Sequence, residues 1–198
     1  MTPSPSFQGI DLSGINFAGR YRLLTSSIIP RPIAFVSTLN EDDTLNAAPF
    51  SSFMIASVEA ALLAFSIGPS ELPKGTLQNV MRNQEYVINT VPVELAREVQ
   101  ICGEDHAPGI SKVTLASLHG IASKRIRTPR IAETKVQFEC ALRTVIPFGE
   151  SRMVVGEVLV MHALEGLVRD GKIDVREYAP LGRIAGRAYC ALTDLISV

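Results

Sequence analysis

Between Val136 and Ile146 the side chains alternate with a period of two. Val136, Phe138, Cys140, Leu142, Thr144 and Ile146 share one face, and Gln137, Glu139 and Arg143 fall on the other. Successive strand residues point to opposite sides, so this run specifies an antiparallel strand with one wet face. Met153 to Ala163 has the same character. Phe148-Gly149-Glu150-Ser151 lies between the two runs and has the composition of a turn, so the strands are expected to form a hairpin. Gly156, inside the second run, suits a bulge or a barrel corner.

The rest of the chain supplies further strands and few helices. Ile33 to Leu39 is rich in β-branched and aromatic residues, and the turn Asn40 to Asp43 leads into an extended piece, Thr44 to Ala48. Ala61 to Ile67 and Tyr86 to Val91 are further strand candidates. Short helices are expected over Tyr21 to Ser27, closed by Pro30-Arg31-Pro32, over Thr76 to Arg82, and over Val93 to Ile101. Strands that outnumber helices predict a mainly β chain, a closed antiparallel barrel with helical decoration. There is no alternating β-α-β order and no G-x-G-x-x-G, which argues against a dinucleotide-binding α/β fold. Residues 1–18, rich in Pro, Ser and Gly, read as an N-terminal arm, and residues 19–198 as a single domain.

Composition narrows the partners. Nineteen Lys and Arg against twenty Asp and Glu give a formal net charge of -1, so no nucleic-acid partner is expected. The longest apolar-rich stretch, Met54 to Gly68, is short of a span and contains Glu59, so no membrane partner is expected either. The start, Met1-Thr2-Pro3-Ser4-Pro5, lacks the layout of a secretory signal, and the three cysteines are odd in number and far apart. A cytoplasmic location is the expectation. Cys140 reads as a buried hydrophobe and His162 as a packed or interface residue. Cys102 and His106 stand four apart without a second ligand pair, so no metal site is assigned.

No nucleophile elbow, phosphate loop or carboxylate pair is present, and no side chain is assigned as catalytic. What stands out is a set of neutral donors, Ser37, Thr38, Asn46, Ser51, Ser52 and Thr76, accompanied by Arg31 and Lys74. Such a set suits a planar heteroaromatic ligand carrying a phosphate. In Lys74-Gly75-Thr76 the threonine can cap a helix whose free N–H groups and positive dipole end would face an anion. The alternative is a turn that merely caps a surface helix. Asn46-Ala47-Ala48-Pro49-Phe50-Ser51-Ser52-Phe53 reads either as a ligand-facing edge or as a strand crossover with both phenylalanines in the core.

Three motifs, Pro30-Arg31-Pro32-Ile33-Ala34-Phe35-Val36-Ser37-Thr38, Asn46-x-Ala48-Pro49-Phe50-Ser51-x-Phe53 and Lys74-x-Thr76-x-x-Asn79, resemble those of the flavin reductase-like, FMN-binding split-barrel family, in its flavoredoxin-like branch. The likeness continues through Gln137-Phe138-Glu139-Cys140 and Pro180-Leu181-Gly182-Arg183. It departs at Gly75, where the family commonly has Asp, and at Val58-Glu59-Ala60 in place of Asp-Pro-Pro. The resemblance implies a six-stranded antiparallel Greek-key split barrel that forms a homodimer and holds FMN near the subunit interface. By position it implies Phe35, Ser37 and Thr38 along the isoalloxazine, and Asn46, Ala48, Phe50, Ser51 and Ser52 around its polar edge and ribityl chain. It further implies Lys74 and Thr76 on the phosphate, joined by Arg31, with Phe148 covering the ring. The function implied is hydride transfer from NAD(P)H to flavin. The alternative is a non-enzymatic FMN-bearing electron carrier serving a redox protein partner.

Overall fold

The computed structural model describes residues 5–69, 75–106, 111–192 and 194–196. Its central feature is a single antiparallel sheet. The strands are β1 (Ala34–Leu39), β2 (Leu45–Phe50), β3 (Phe53–Ser57), β4 (Leu62–Ile67), β5 (Glu85–Thr90), β6 (Val136–Phe148) and β7 (Ser151–Ala163). They lie in the order β2-β1-β5-β6-β7-β4-β3. The two ends of that order are joined through the chain itself, because only Ser51 and Ser52 separate β2 from β3. Counting the broken β2–β3 segment as one strand gives six strands around a barrel. β1, β2–β3 and β4 are consecutive neighbours, and β5 returns to lie beside β1, the Greek-key connection.

Two cores flank the sheet. Ala34, Val36, Phe50, Phe65, Tyr86, Ile88, Cys140 and Val154 fill the barrel. Phe35 of β1 and Ala47 of β2, with Ile33 just before β1 and Val91 just after β5, pack outward with Val99 and Cys102. Those two are the buried residues of α3 (Ala96–Gly103). A second helix, α2 (Gly75–Asn83), lies between β4 and β5 in sequence and contributes Val80 to the barrel interior. The first helix, α1 (Phe17–Ser27), buries none of its residues. It begins one turn before Tyr21, inside the segment read as an arm, because the Asn16 side chain accepts from the Gly19 N–H and caps it.

The long hairpin is confirmed, but its phase is not what simple alternation predicts. Gln137 and Glu139, expected on a wet face, are 5% and 0% exposed, because the segment before β6 folds over them. The Gln137 amide donates to the carbonyls of Ile131 and Thr134, at 3.0 and 2.9 Å. Glu139 accepts from the N–H groups of Lys124 and Arg125, at 2.6 and 2.7 Å, and from His162 Nε2 at 2.6 Å. A register shift between Leu142 and Thr144 then resets the alternation. Beyond it Val145 packs against the barrel core and Ile146 turns to solvent. Gly156 pairs with Leu142 at that shift, so the expected irregularity is present, carried by the partner strand.

Candidate functional site

Thr38 and Asn46 face each other in register across β1 and β2. The Asn46 amide donates to Thr38 Oγ1 at 3.3 Å and to Thr76 Oγ1 at 3.4 Å. Thr76 stands in the first turn of α2, and Asn79, three residues on, shares its face. Asn79 Nδ2 donates to Thr38 Oγ1 at 3.0 Å and to Asn40 Oδ1 at 2.8 Å, and its carbonyl accepts from Arg82 Nη2 at 3.0 Å. Thr38, Thr76 and Asn79 are buried. Three residues distant in sequence thus converge with Asn79 at the amide end of α2, where the first-turn N–H groups have no intrahelical acceptor. No acidic side chain occupies that first turn. Lys74 lies outside the described residues.

The bonds from Asn46 are near the outer limit of hydrogen-bonding distance, so a ligand oxygen can replace them at small cost. A neutral donor cluster at the positive end of a helix suits a phosphate group. β2 adds a second element. It hydrogen-bonds only to β1, leaving its other edge unpaired within the sheet. Along it Ala48 is half-buried against the barrel core, while Phe50 is buried and tilted against Phe65, ring centroids 5.1 Å apart. The crossover reading is therefore right for Phe50.

At the β2–β3 corner Ser51 accepts from Arg31 Nε at 3.4 Å. Arg31 Nη1 donates to the Ile28 carbonyl at 3.1 Å and to that of Thr25, tying down the C-terminal carbonyls of α1. Burial lowers the pKa of this guanidinium, Tyr21 opposes that, and nearby Arg183 lowers it further. Arg31, Ser51, Ser52, Phe53, Phe65 and Met153 line a cleft of about 350 Å³. Arg31 is thus set beside the corner serines, with bonds separate from those of the Thr38–Asn46–Thr76 cluster.

Two residues expected along the ligand are turned away from both places. Phe35 is fully buried in the outer core, because its position on β1 points toward α3. Ser37, equally buried, donates to the Pro129 carbonyl at 2.8 Å and accepts from Asn89 Nδ2 at 3.1 Å. Asn79 and Arg82 were not among the residues expected at the site. The signal for Asn79 was its spacing from Thr76 on a helix. Phe148 is exposed at the tip of the β6–β7 hairpin. Among the described residues no cluster of three or more His, Cys, Asp or Glu could hold a metal ion, and no helix is long and apolar enough to cross a membrane.

Comparison with known proteins places this architecture. The family model described as flavin reductase like domain matches residues 25–181. An uncharacterized protein of Aquifex aeolicus is 35% identical over 173 residues, covering 85% of this chain and 88% of that one. Nitrilotriacetate monooxygenase component B from Bacillus cereus superposes with a TM-score of 0.94 at 29% identity, over 98% of this chain and 100% of that one. The 2-nitrobenzoate 2-nitroreductase NbaA of Pseudomonas fluorescens gives 0.89 at 31% identity, over 96% and 95%. The sequence motifs, the six-stranded barrel and these matches agree, and the chain belongs to the flavin reductase-like domain family.

Proposed function

We propose that the chain is an FMN-binding flavin oxidoreductase that takes hydride from NAD(P)H, acting as a homodimer in the cytoplasm through the single domain of residues 19–198. The observation that carries this is the convergence of Thr38, Asn46 and Thr76 at the amide end of α2, where Asn46 holds both hydroxyls by long bonds. Lys74, next in sequence to that helix, supplies a cation for the phosphate. The unpaired edge of β2 from Asn46 through Ala48, with Ser51 and Ser52 at the corner, offers N–H, carbonyl and hydroxyl groups to the polar rim of a flavin. When bound, FMN supplies a ring that accepts hydride directly, so the protein needs no acid–base triad for that transfer. What its residues contribute is position, exclusion of water and fixed donors. Homodimerisation is supported by exposed apolar side chains on α1 and β3 outside the cleft, including Phe17, Tyr21 and Ile55. The three cysteines, all unbridged, suit a reducing compartment.

Titration with FMN tests the site. Lys74→Ala and Thr76→Ala should each lose roughly 1.5–3 kcal/mol of charge-assisted bonding, about tenfold or more in affinity. Unchanged affinity in both variants removes the assignment. Bleaching of the flavin absorbance by NADH or NADPH supports the enzyme. A bound flavin inert to both favours the electron carrier.

A further inference from the structure

The cleft beside Ser51 combines two features. Its walls are mostly apolar, formed by Leu24 and Ile28 from α1, by Pro30, and by Phe53, Met54 and Met153 from the barrel. Arg31 is the one ionisable side chain among its lining residues. Arg31 as a whole is 8% exposed, yet among the described residues it forms no ion pair with any carboxylate. Its partners are the Thr25 and Ile28 carbonyls and the Ser51 hydroxyl, all neutral. They engage Nε and Nη1, and Nη2 has no partner among the described residues, although it is not a fully enclosed atom.

A second cation reinforces the first. The backbones of Arg31 and Arg183 exchange two hydrogen bonds, at 3.0 and 2.9 Å. Arg183 bonds Gln100, Tyr189 and the Gly186 carbonyl and likewise has no carboxylate partner among the described residues. A buried charge without a counter-ion is costly, and an incoming anion offsets that cost for Arg31; Arg183, half-buried and outside the cleft lining, adds positive potential nearby. A volume of about 350 Å³ is more than twice the roughly 150 Å³ that encloses benzene, so one ring with substituents fits.

We propose that this cleft binds a second substrate consisting of an aromatic body that carries a carboxylate or phosphate, with Arg31 Nη2 as the anion's partner and Ser51 and Ser52 beside it. As a substrate site it rests on the flavin reading, since the corner serines are shared with the edge offered to the flavin. As a binding site it stands alone.

The test is calorimetric titration of the FMN-saturated protein, and of the protein without added FMN, with benzoate, phenyl phosphate and the neutral isostere benzamide. At least one anion should bind about tenfold or more tightly than benzamide, with the preference falling as salt rises. The tighter of the two anions identifies the headgroup. Arg31→Gln should abolish the preference through loss of the anion's affinity, with benzamide unchanged, and Arg31→Lys should restore part of it. Because Arg31 also secures α1, Met153→Trp provides a second route. It fills the apolar wall, leaves Arg31's bonds intact, and should weaken anion and benzamide alike. Equal binding of anions and benzamide, no anion binding, or wild-type anion affinity in Arg31→Gln or Met153→Trp would each overturn the proposal. Failure to bind FMN with the anion preference intact would instead overturn only the flavin reading.

Discussion

Tyr86 and Gly156 offer a sharp test of how the barrel is packed. Tyr86 is fully buried, edge-on to Phe65 with ring centroids 5.6 Å apart. Its hydroxyl has no hydrogen-bond partner among the described residues. Burial, with a smaller contribution from Cys140, pushes the phenol far above its ordinary pKa, so it stays neutral. The hydroxyl takes the place a side chain would have at Gly156. A Cβ there would collide with Tyr86 Oη and would meet Cζ at 2.8 Å and the Ala141 carbonyl oxygen at 3.1 Å. Gly156→Ala therefore overpacks the interior and should cost about 1–3 kcal/mol. Tyr86→Phe removes a polar group whose unsatisfied burial costs about 1–3 kcal/mol. It leaves a void of about 15 Å³, worth about 0.4 kcal/mol at about 24 cal/mol per Å³. The net should be stabilisation of about 1 kcal/mol or more. Paired with Gly156→Ala it removes the closest clash but not the Cζ contact, so the two should couple by about 1 kcal/mol. Urea unfolding followed by far-ultraviolet circular dichroism, with equal m values, measures all four corners. Tyr86→Phe destabilising the protein, or strict additivity of the pair, would refute this account.

Other consequences follow from buried groups. Burial pushes the Glu139 carboxyl up, but the Lys124 N–H, His162 and the Arg125 N–H outweigh it and leave the pKa below 4.5. A lowered native value means the contribution to stability is present above about pH 4.5 and lost as pH falls through the native pKa. Glu139→Gln should cost about 1.5–3 kcal/mol at pH 7 and flatten the acid limb of a stability–pH curve. Parallel curves for the two proteins would contradict this. Burial pushes the Cys102 thiol up to about 12 and Cys140 higher still, while Cys190 is half-exposed. A thiol reagent at pH 8 should therefore titrate one cysteine in the native protein and three after unfolding. Rapid labelling of all three would show the barrel opens far more readily than its packing implies.

The legible parts of the fold are those whose pattern is local. Period-two runs marked the strands of the long hairpin, and β-branched content marked β1, because each can be judged from its own residues. Gln137 and Glu139 were misplaced because their burial depends on the segment 124–134 folding back over the strand, a contact that the strand's own residues do not encode. β3 was missed because three of its five residues are exposed, which erases the alternation that would announce it. At the candidate site Thr38, Asn46 and Thr76 were named from motif and residue type, and the structure brings them together. Phe35 and Ser37 came with the same motif, yet their strand phase sends them to the outer core. Phase on a doubly buried strand is invisible to a polarity pattern, since β1 is buried at every position.

Among the described residues the barrel has a seam where the open edge of β2 and the corner serines sit. A molecule that grips both the β2 flank and the head of α2 would act as a clasp across that seam. Stripped of its clasp, β2 becomes a bare rim able to recruit another chain by strand addition. Cofactor supply would then govern how long the folded protein survives in a crowded cell, as well as how fast it turns over.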